Sequence, residues 1–517
     1  MVRPLWLVCA LLLGACADRP TLLIQVRHPT GVDPAGAKGT LSVTIEEALT
    51  GARVHQQDLD TASLGSTQSL VEGLELVEGK DYLVRLAAQY AEALCGASQQ
   101  RAVGTSPPFT YGTGLGEVSV YLDCADASSP TGTPLAKRLY HTATLLLDPA
   151  PHGQVVVIAG AEPNTDLENL EAAVLYDSIE QYDPVTGTFT ALSAKLSRPR
   201  MLHQSFRGPG PGEVVVTGGL DKVTVVNKTS VVSLAAAERV RDGHVTPLPE
   251  LVDARSYHAA VAVGDQVVLA GGMGSNIINL QKSVELYDPS GGVPPQLAPS
   301  MARSRFSMAA VPFGDDRRVL LSGGVRVAGM DLPDEILCLS GSCPCGAPPC
   351  IQEIPAFGKG NGRYGLTGTR VDCKEAGEGA IYLVGGSYKE VLTNTNVYFD
   401  DIYCLELAQP TALQLVGHLS RPRSGHSATL VRGPGGPRVL VAGGSGVKTN
   451  GEETIWQNAE LFDAACHCQQ IDSAGQQEVQ LGGPRALHTA TLLPDGTVLL
   501  LGGIFAGFAA ERFNPDL

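Results

Sequence analysis

The chain has 517 residues, with 37 Lys and Arg against 53 Asp and Glu and a formal net charge of -16. An acidic chain without a basic block lacks the positive footprint that a phosphate backbone requires, which excludes nucleic acid as a partner. A mean hydropathy of +0.06 with 44% apolar residues excludes a disordered chain, and 60 glycines with 34 prolines exclude a helical bundle.

Met1-Val2-Arg3 gives a small positive start to the apolar run Leu5 to Leu13. As a helix that run spans about 14 Å, roughly half a hydrocarbon core, so it reads as the apolar region of an export signal. Leu13-Gly14-Ala15-Cys16 follows where cleavage is expected. The tetrad resembles the lipobox of bacterial lipoproteins. The resemblance implies a signal over 1–15, an acylated Cys16 as mature N-terminus and, with Ala17 rather than Asp next, sorting to the outer membrane. No later stretch approaches 18 uninterrupted apolar residues, so the membrane is reached through the lipid alone.

Residues 16–126 read as a small antiparallel β-sandwich, immunoglobulin-like in outline. Leu22-Ile24-Val26, Leu41-Val43-Ile45, Tyr82-Val84-Leu86 and Val118-Val120-Leu122 each place apolar residues at period two. Cys95 and Cys124 are the two cysteines of this part and are expected to pair, as the exported compartment favours disulfides. Among the later cysteines, Cys373 and Cys404 are plausible partners on neighbouring strands. Cys338, Cys343, Cys345 and Cys350 form a tight cluster, and Cys466 and Cys468 flank His467. Disulfides are expected of these, with zinc the alternative. Residues 127–137 form a linker and closing strand.

From residue 138 to 517 the chain repeats. An Arg-led element recurs at Arg138-Leu-Tyr-His141, Arg200-Met-Leu-His203, Arg255-Ser-Tyr-His258, Arg305-Phe-Ser-Met308, Arg363-Tyr-Gly-Leu366, Arg423-Ser-Gly-His426 and Arg485-Ala-Leu-His488. An apolar run ending in a small pair follows each: Gly160-Ala161, Gly218-Gly219, Gly271-Gly272, Gly323-Gly324, Gly385-Gly386, Gly443-Gly444 and Gly502-Gly503. Several units then carry Glu-x-[Tyr/Phe]-[Asp/Asn], at Glu180, Glu285, Glu460 and Glu511. This pattern resembles the kelch repeat, which implies a seven-bladed β-propeller of four-stranded blades. The Trp usual on the family's outer strand is missing, with Phe189 or an aliphatic residue in its place, and the fourth and fifth units lack the His. The last unit stops one outer strand short, and Thr131 to Lys137 is expected to supply it, clasping the ring.

Turns between the first and second strands are short, whereas the loops after the glycine pair are long and polar: Glu162 to Glu171, Ser387 to Asn396 and Ser445 to Gln457. Long loops on rigid strands are where binding concentrates, so that face is the candidate site. Tyr388 and Trp456 lie there, either to stack on a ligand or to pack their own loops. The seven arginines need carboxylate partners or else form an anion-binding funnel. The repeated histidines suggest a packing or hydrogen-bonding role in each unit. Arg138-Leu-Tyr140-His141 and Arg255-Ser-Tyr257-His258 also resemble a segment of the copper-radical oxidases, which implies copper as an alternative.

No catalytic motif is recognised. The expectation is therefore an all-β envelope lipoprotein that binds or scaffolds a protein or glycan ligand, without cofactor or resident metal. A secreted oxidase or carbohydrate-active enzyme on the same fold is the alternative.

Overall fold

The computed structural model describes residues 5–8, 22–28, 39–61, 67–68, 76–90, 101–112, 117–148, 150–163, 172–225, 228–275, 279–314, 317–325, 332–341, 343–355, 362–372, 379–390, 395–433, 435–472, 476–505 and 509–516. Their regular elements are all β-strands. No helix among them is long and apolar enough to cross a membrane. Cys16, Cys95 and Cys373, and residues 164–171 of the first long loop, lie outside the described residues.

The N-terminal strands form two sheets that share one core of Ile24, Val26, Leu41, Val43, Ile45, Tyr82, Val84, Leu86, Val118 and Val120. Asp81–Tyr90 shows why: its even-numbered residues are buried and its odd-numbered ones face outward or the sheet margin. One sheet runs Asp123–Cys124, Arg101–Thr105, Asp81–Tyr90, Gly39–Glu47, Arg53–Asp60. The other departs from the expected antiparallel pattern, because Leu23–Arg27 pairs in parallel with Val118–Tyr121. The opposite edge of Leu23–Arg27 is taken by Leu5–Val8, from the segment read as a signal, in antiparallel register.

Among the described residues, seven four-stranded antiparallel sheets follow, here numbered I to VII. From the innermost strand outward, sheet I is Thr142–Leu146, Gln154–Ile158, Ser178–Asp183 and Thr188–Lys195. Sheets II to VI repeat this order, starting at Gln204–Arg207, Ala259–Val263, Ala309–Phe313, Thr367–Asp372 and Ser427–Gly433. The second strand of each carries an apolar run of consecutive residues, such as Val214–Val216, because neighbouring sheets cover both of its faces. Innermost strands touch in sequence, and that of sheet VII touches that of sheet I.

Sheet VII contains Thr489–Leu492, Val498–Leu501 and Ala510–Asn514, and its outermost strand comes from the other end of the chain. That strand is Ala127–Pro130, paired from Ala127 with Asn514 to Pro130 with Glu511. The expected clasp is present but displaced, since Thr131 to Lys137 runs on towards sheet I. There the backbone N–H groups of Leu135 and Ala136 donate to Glu180 at 2.8 and 3.0 Å. Thr131–Lys137 contains Pro134 and supplies loop donors, whereas Ala127–Pro130 is a half-exposed polar strand.

The N-terminal sheets are not independent of this array. Asn514 Nδ2 donates to the carbonyls of Val103 and Asp123, both at 2.9 Å. The buried Arg512 guanidinium lies 3.9 Å from the Tyr121 ring centroid. Arg438 forms a bidentate pair with Asp126 at 3.0 and 2.8 Å.

Disulfides join Cys338 to Cys343 and Cys345 to Cys350 at the end of sheet IV. A third joins Cys404 to Cys468, which corrects the expected Cys373–Cys404 pair. Chain 464–472 crosses the neighbouring sheet V, where Ile471 N–H meets the Val416 carbonyl at 2.7 Å, and so brings Cys468 over Cys404. Cys124 and Cys466 are also disulfide-bonded.

Candidate functional site

Each repeat unit's charge is consumed at its own sheet. Arg138, Arg200, Arg255, Arg305, Arg363, Arg423 and Arg485 are all buried. Their partners, on the third strand, are Glu180, Glu238, Glu285, Glu335, Asp401, Glu460 and Glu511. The Arg138 and Arg363 pairs measure 2.6 and 2.7 Å. Motif reading found four of these acids. It missed Glu238 and Glu335, which stand at the same register on strands that lack the following Tyr-Asp, and Asp401, which stands two residues earlier on its strand, where Tyr403 fills the register of the other acids. The same acids accept backbone N–H groups from the incoming chain, as Glu285 does from Val252 and Asp253. A buried guanidinium already paired with a carboxylate and with carbonyl acceptors is a structural unit, not a free anion receptor.

The small pairs set the inter-sheet contacts. Both members adopt positive φ, as in Gly218 at 62° and Gly219 at 108°. In sheet I the positive φ values fall on Ala159 (52°) and Gly160 (96°), so the pair there is Ala159-Gly160, one residue earlier than the sequence reading of Gly160-Ala161. The first member's carbonyl accepts from the arginine: Arg138 to Ala159 at 2.7 Å, Arg255 to Gly271 at 2.8 Å, Arg423 to Gly443 at 2.7 Å. The second member's N–H donates to the next sheet's arginine carbonyl, for example Gly219 to Arg255 at 2.9 Å and Gly386 to Arg423 at 2.8 Å. A Cβ on Gly218 would stand 2.3 Å from the Arg255 carbonyl oxygen.

The histidines bridge sheets too. The Nε2 atoms of His141, His203, His258, His426 and His488 meet Thr489, Thr142, Thr217, Thr367 and Ser427 hydroxyls of the preceding sheet at 2.9–3.3 Å. Burial, reinforced by the neighbouring arginine, lowers His141 and His426 to about 3 and puts the other three well below the ordinary imidazole value. Sheets IV and V fill the position with Met308 and Leu366. Tyr140 and Tyr257 turn instead to the axis, their ring centroids 6.3 Å apart.

Hairpins rise beyond the pairs on the loop face. Sheet II carries Leu220–Val225 with Lys228–Ser233, sheet V Ser387–Glu390 with Thr395–Tyr398, and sheet VI Ser445–Val447 with Glu453–Ile455. Trp456 does not offer a stacking surface: it is 7% exposed, its Nε1 donates to the Pro422 carbonyl at 2.9 Å, and Arg421 lies 4.9 Å over its ring. Tyr388 is half-buried against Phe399, with centroids 5.8 Å apart.

Between the hairpins of sheets V and VI runs a connected polar group that sequence reading did not single out. The Tyr364 hydroxyl donates to Asn396 Oδ1 at 3.2 Å, and Asn396 Nδ2 donates to Glu453 Oε1 at 2.9 Å. The Tyr398 hydroxyl reaches the same Glu453 oxygen at 3.4 Å. Its phenol is pushed up to about 12 by burial and by the Glu453 charge, which keeps it a donor at neutral pH. The available signal was the Tyr and Asn density of a loop whose period-two pattern continues past the glycine pair.

Among the described residues, Asp400, Asp401 and His418 lie close enough to share a cation. They sit on sheet V's outer strands, where Asp401 already pairs with Arg363.

The model of the kelch motif matches residues 254–293. A solved structure titled "Structure of YjhT" is similar at 14% identity and a TM-score of 0.44, over 67% of this chain and 98% of that one. A search of curated proteins returned no match. The chain is thus all-β and carries a kelch motif within an array of four-stranded sheets.

Proposed function

We propose that this is an exported, lipid-anchored recognition protein: a β-sandwich followed by a seven-bladed kelch-type propeller that binds a protein or glycan ligand through its loop-rich face, without catalysing a reaction. The observation that carries the reading is how the repeat's chemistry is spent. All seven register arginines are buried against carboxylates, and the five register histidines bridge sheets as neutral rings. Reactive groups committed to holding a ring leave the hairpins to vary, and variable loops on a rigid base are a binding architecture.

The anchor follows from Leu13-Gly14-Ala15-Cys16, with several acyl chains giving stable attachment where one is marginal. Cleavage there also removes Leu5–Val8 and frees the edge of Leu23–Arg27. Mass spectrometry of the mature N-terminus tests the anchor, and an unmodified Cys16 refutes it. Binding is tested by replacing the Ser387–Tyr398 and Ser445–Ile455 hairpins with two-residue turns: ligand retention should vanish while the melting temperature holds. Metal analysis of the purified chain should find no stoichiometric copper, and a radical absorption band would favour oxidase chemistry instead.

A further inference from the structure

We infer that the hairpin face of sheets V and VI holds a subsite for an uncharged sugar, a hexose or N-acetylhexosamine unit of a glycan; this rests on the loop-face reading above and names its ligand class. Aromatic residues make up only 5% of the chain, yet Tyr364, Tyr388, Tyr398 and Phe399 gather at this one sector. The corresponding hairpin of sheet II, Leu220–Val225 with Lys228–Ser233, has none.

The polar groups are set at the spacing a sugar edge needs. Asn396 and Tyr398 share one face of their hairpin, since they stand two residues apart on a strand. Both converge on Glu453 of the next sheet's hairpin. Tyr364, Asn396 and Tyr398 are half-buried and therefore held, whereas Glu453 is exposed and reachable. A carboxylate anchored on one oxygen keeps its other lone pairs for ligand hydroxyls, and a phenol beside it offers an apolar ring for sugar C–H groups with a polar tip.

The charge argues for an uncharged ligand. Lys389 lies directly across the hairpin from Asn396 and is exposed, so it offsets Glu453 within the same surface. Around the axis, seven residues adopt left-handed φ: Tyr140, Leu202, Tyr257, Ser307, Gly365, Gly425 and Leu487. Sheets V and VI supply the two glycines, so they add no side chain to the axis beside Tyr364.

The test uses the full chain on an array of neutral hexose and N-acetylhexosamine oligosaccharides, followed by titration with the best-retained one. Tyr398→Ala and Glu453→Ala should each weaken binding about tenfold or more, because each removes a partner from a shared hydrogen-bond group. Glu452→Ala, at an exposed neighbour, should bind as the parent does, and all three should keep the parent melting temperature. Retention of no neutral glycan overturns the inference. So does binding as tight as the parent's by the two cluster variants, and replacement of the Ser445–Ile455 hairpin then separates the two readings. Loss of binding on that replacement leaves the loop face intact and this subsite refuted, and unchanged binding refutes both.

Discussion

The backbone N–H of Gly503 donates to the Arg138 carbonyl at 2.7 Å. This is the same contact that Gly219 makes to Arg255, but here it joins the last sheet to the first. His141 repeats the join with its 3.1 Å contact to Thr489. Closure is therefore made by the repeat's own chemistry at an additional position, and it is reinforced outside by Ala127–Pro130 on Ala510–Asn514.

Breaking one buried ion pair should be costly. Arg255→Ala leaves the Glu285 carboxylate buried, and removal of one partner of such a pair costs about 3–5 kcal/mol. The double change Arg255→Met with Glu285→Leu should be much milder, since it removes both charges together. Chemical denaturation of the three proteins checks this. Equal losses would mean that the arginine acts through packing alone.

Ala159→Gly should stabilise the chain. Ala159 holds φ of 52° at a register where six other sheets place glycine before glycine, and the left-handed region costs a non-glycine residue about 1–2 kcal/mol. Glycine's greater unfolded-state entropy offsets part of that gain, leaving a rise of about 0.5–1 kcal/mol. Gly218→Ala should do the reverse and by more, because its Cβ meets the Arg255 carbonyl. Thermal melting of both variants decides the sign.

Stability should fall as pH drops from 7 towards 4. His141 and His426 titrate near 3 in the folded ring and about 6.5 when unfolded. Between those values the unfolded chain binds more protons, so acid favours unfolding. His426→Leu, copying sheet V's Leu366, should flatten the slope of melting temperature against pH in this window. An unchanged slope would remove the histidines as its cause.

The junction to the sandwich should respond with the opposite sign. Burial raises Asp123 to about 6, so the folded state binds the extra proton between about 3.8 and 6, and stability declines as pH rises through that interval. Asp123→Asn keeps an oxygen for the Cys124 N–H and should stabilise the chain at pH 7–8. Limited proteolysis at the junction should show the parent less resistant at pH 8 than at pH 5 and the Asp123→Asn variant equally resistant at both.

Deleting residues 1–126 should leave the closing strand, whereas deleting 1–130 removes it and exposes the Ala510–Asn514 edge. The longer deletion should therefore melt well below the shorter one, by several kcal/mol of a typical total of about 5–15. Identical melting would show that Ala127–Pro130 contributes nothing to closure.

Much of this was legible from periodicity. The inward residues Tyr82, Val84 and Leu86 and the repeated arginines announce themselves because burial and charge pairing act on fixed spacings. What escaped depends on where the chain turns in space. Glu238 and Glu335 were hidden because only the acid, not its Tyr-Asp neighbours, is needed to hold the arginine, and Asp401 because it reaches the arginine from two residues earlier on its strand. The Cys404–Cys468 bond was hidden because a segment of one unit crosses its neighbour. The closing strand was placed a few residues late because Ala127–Pro130 is polar and looks like a linker. Tyr364, Asn396, Tyr398 and Glu453 meet only when two hairpins stand side by side.

The borrowed outer strand of sheet VII also orders events in time. Ala127–Pro130 is synthesised before any of the seven sheets, and its partner Ala510–Asn514 only after the other six. Until that partner is made the early strand has no place to dock, however many sheets have formed. A chain cut short by premature termination or by a protease lacks the partner permanently and keeps an unpaired edge on view. The seam thus acts as a check on the array: only a chain made as far as Ala510–Asn514 can bury that edge against Ala127–Pro130.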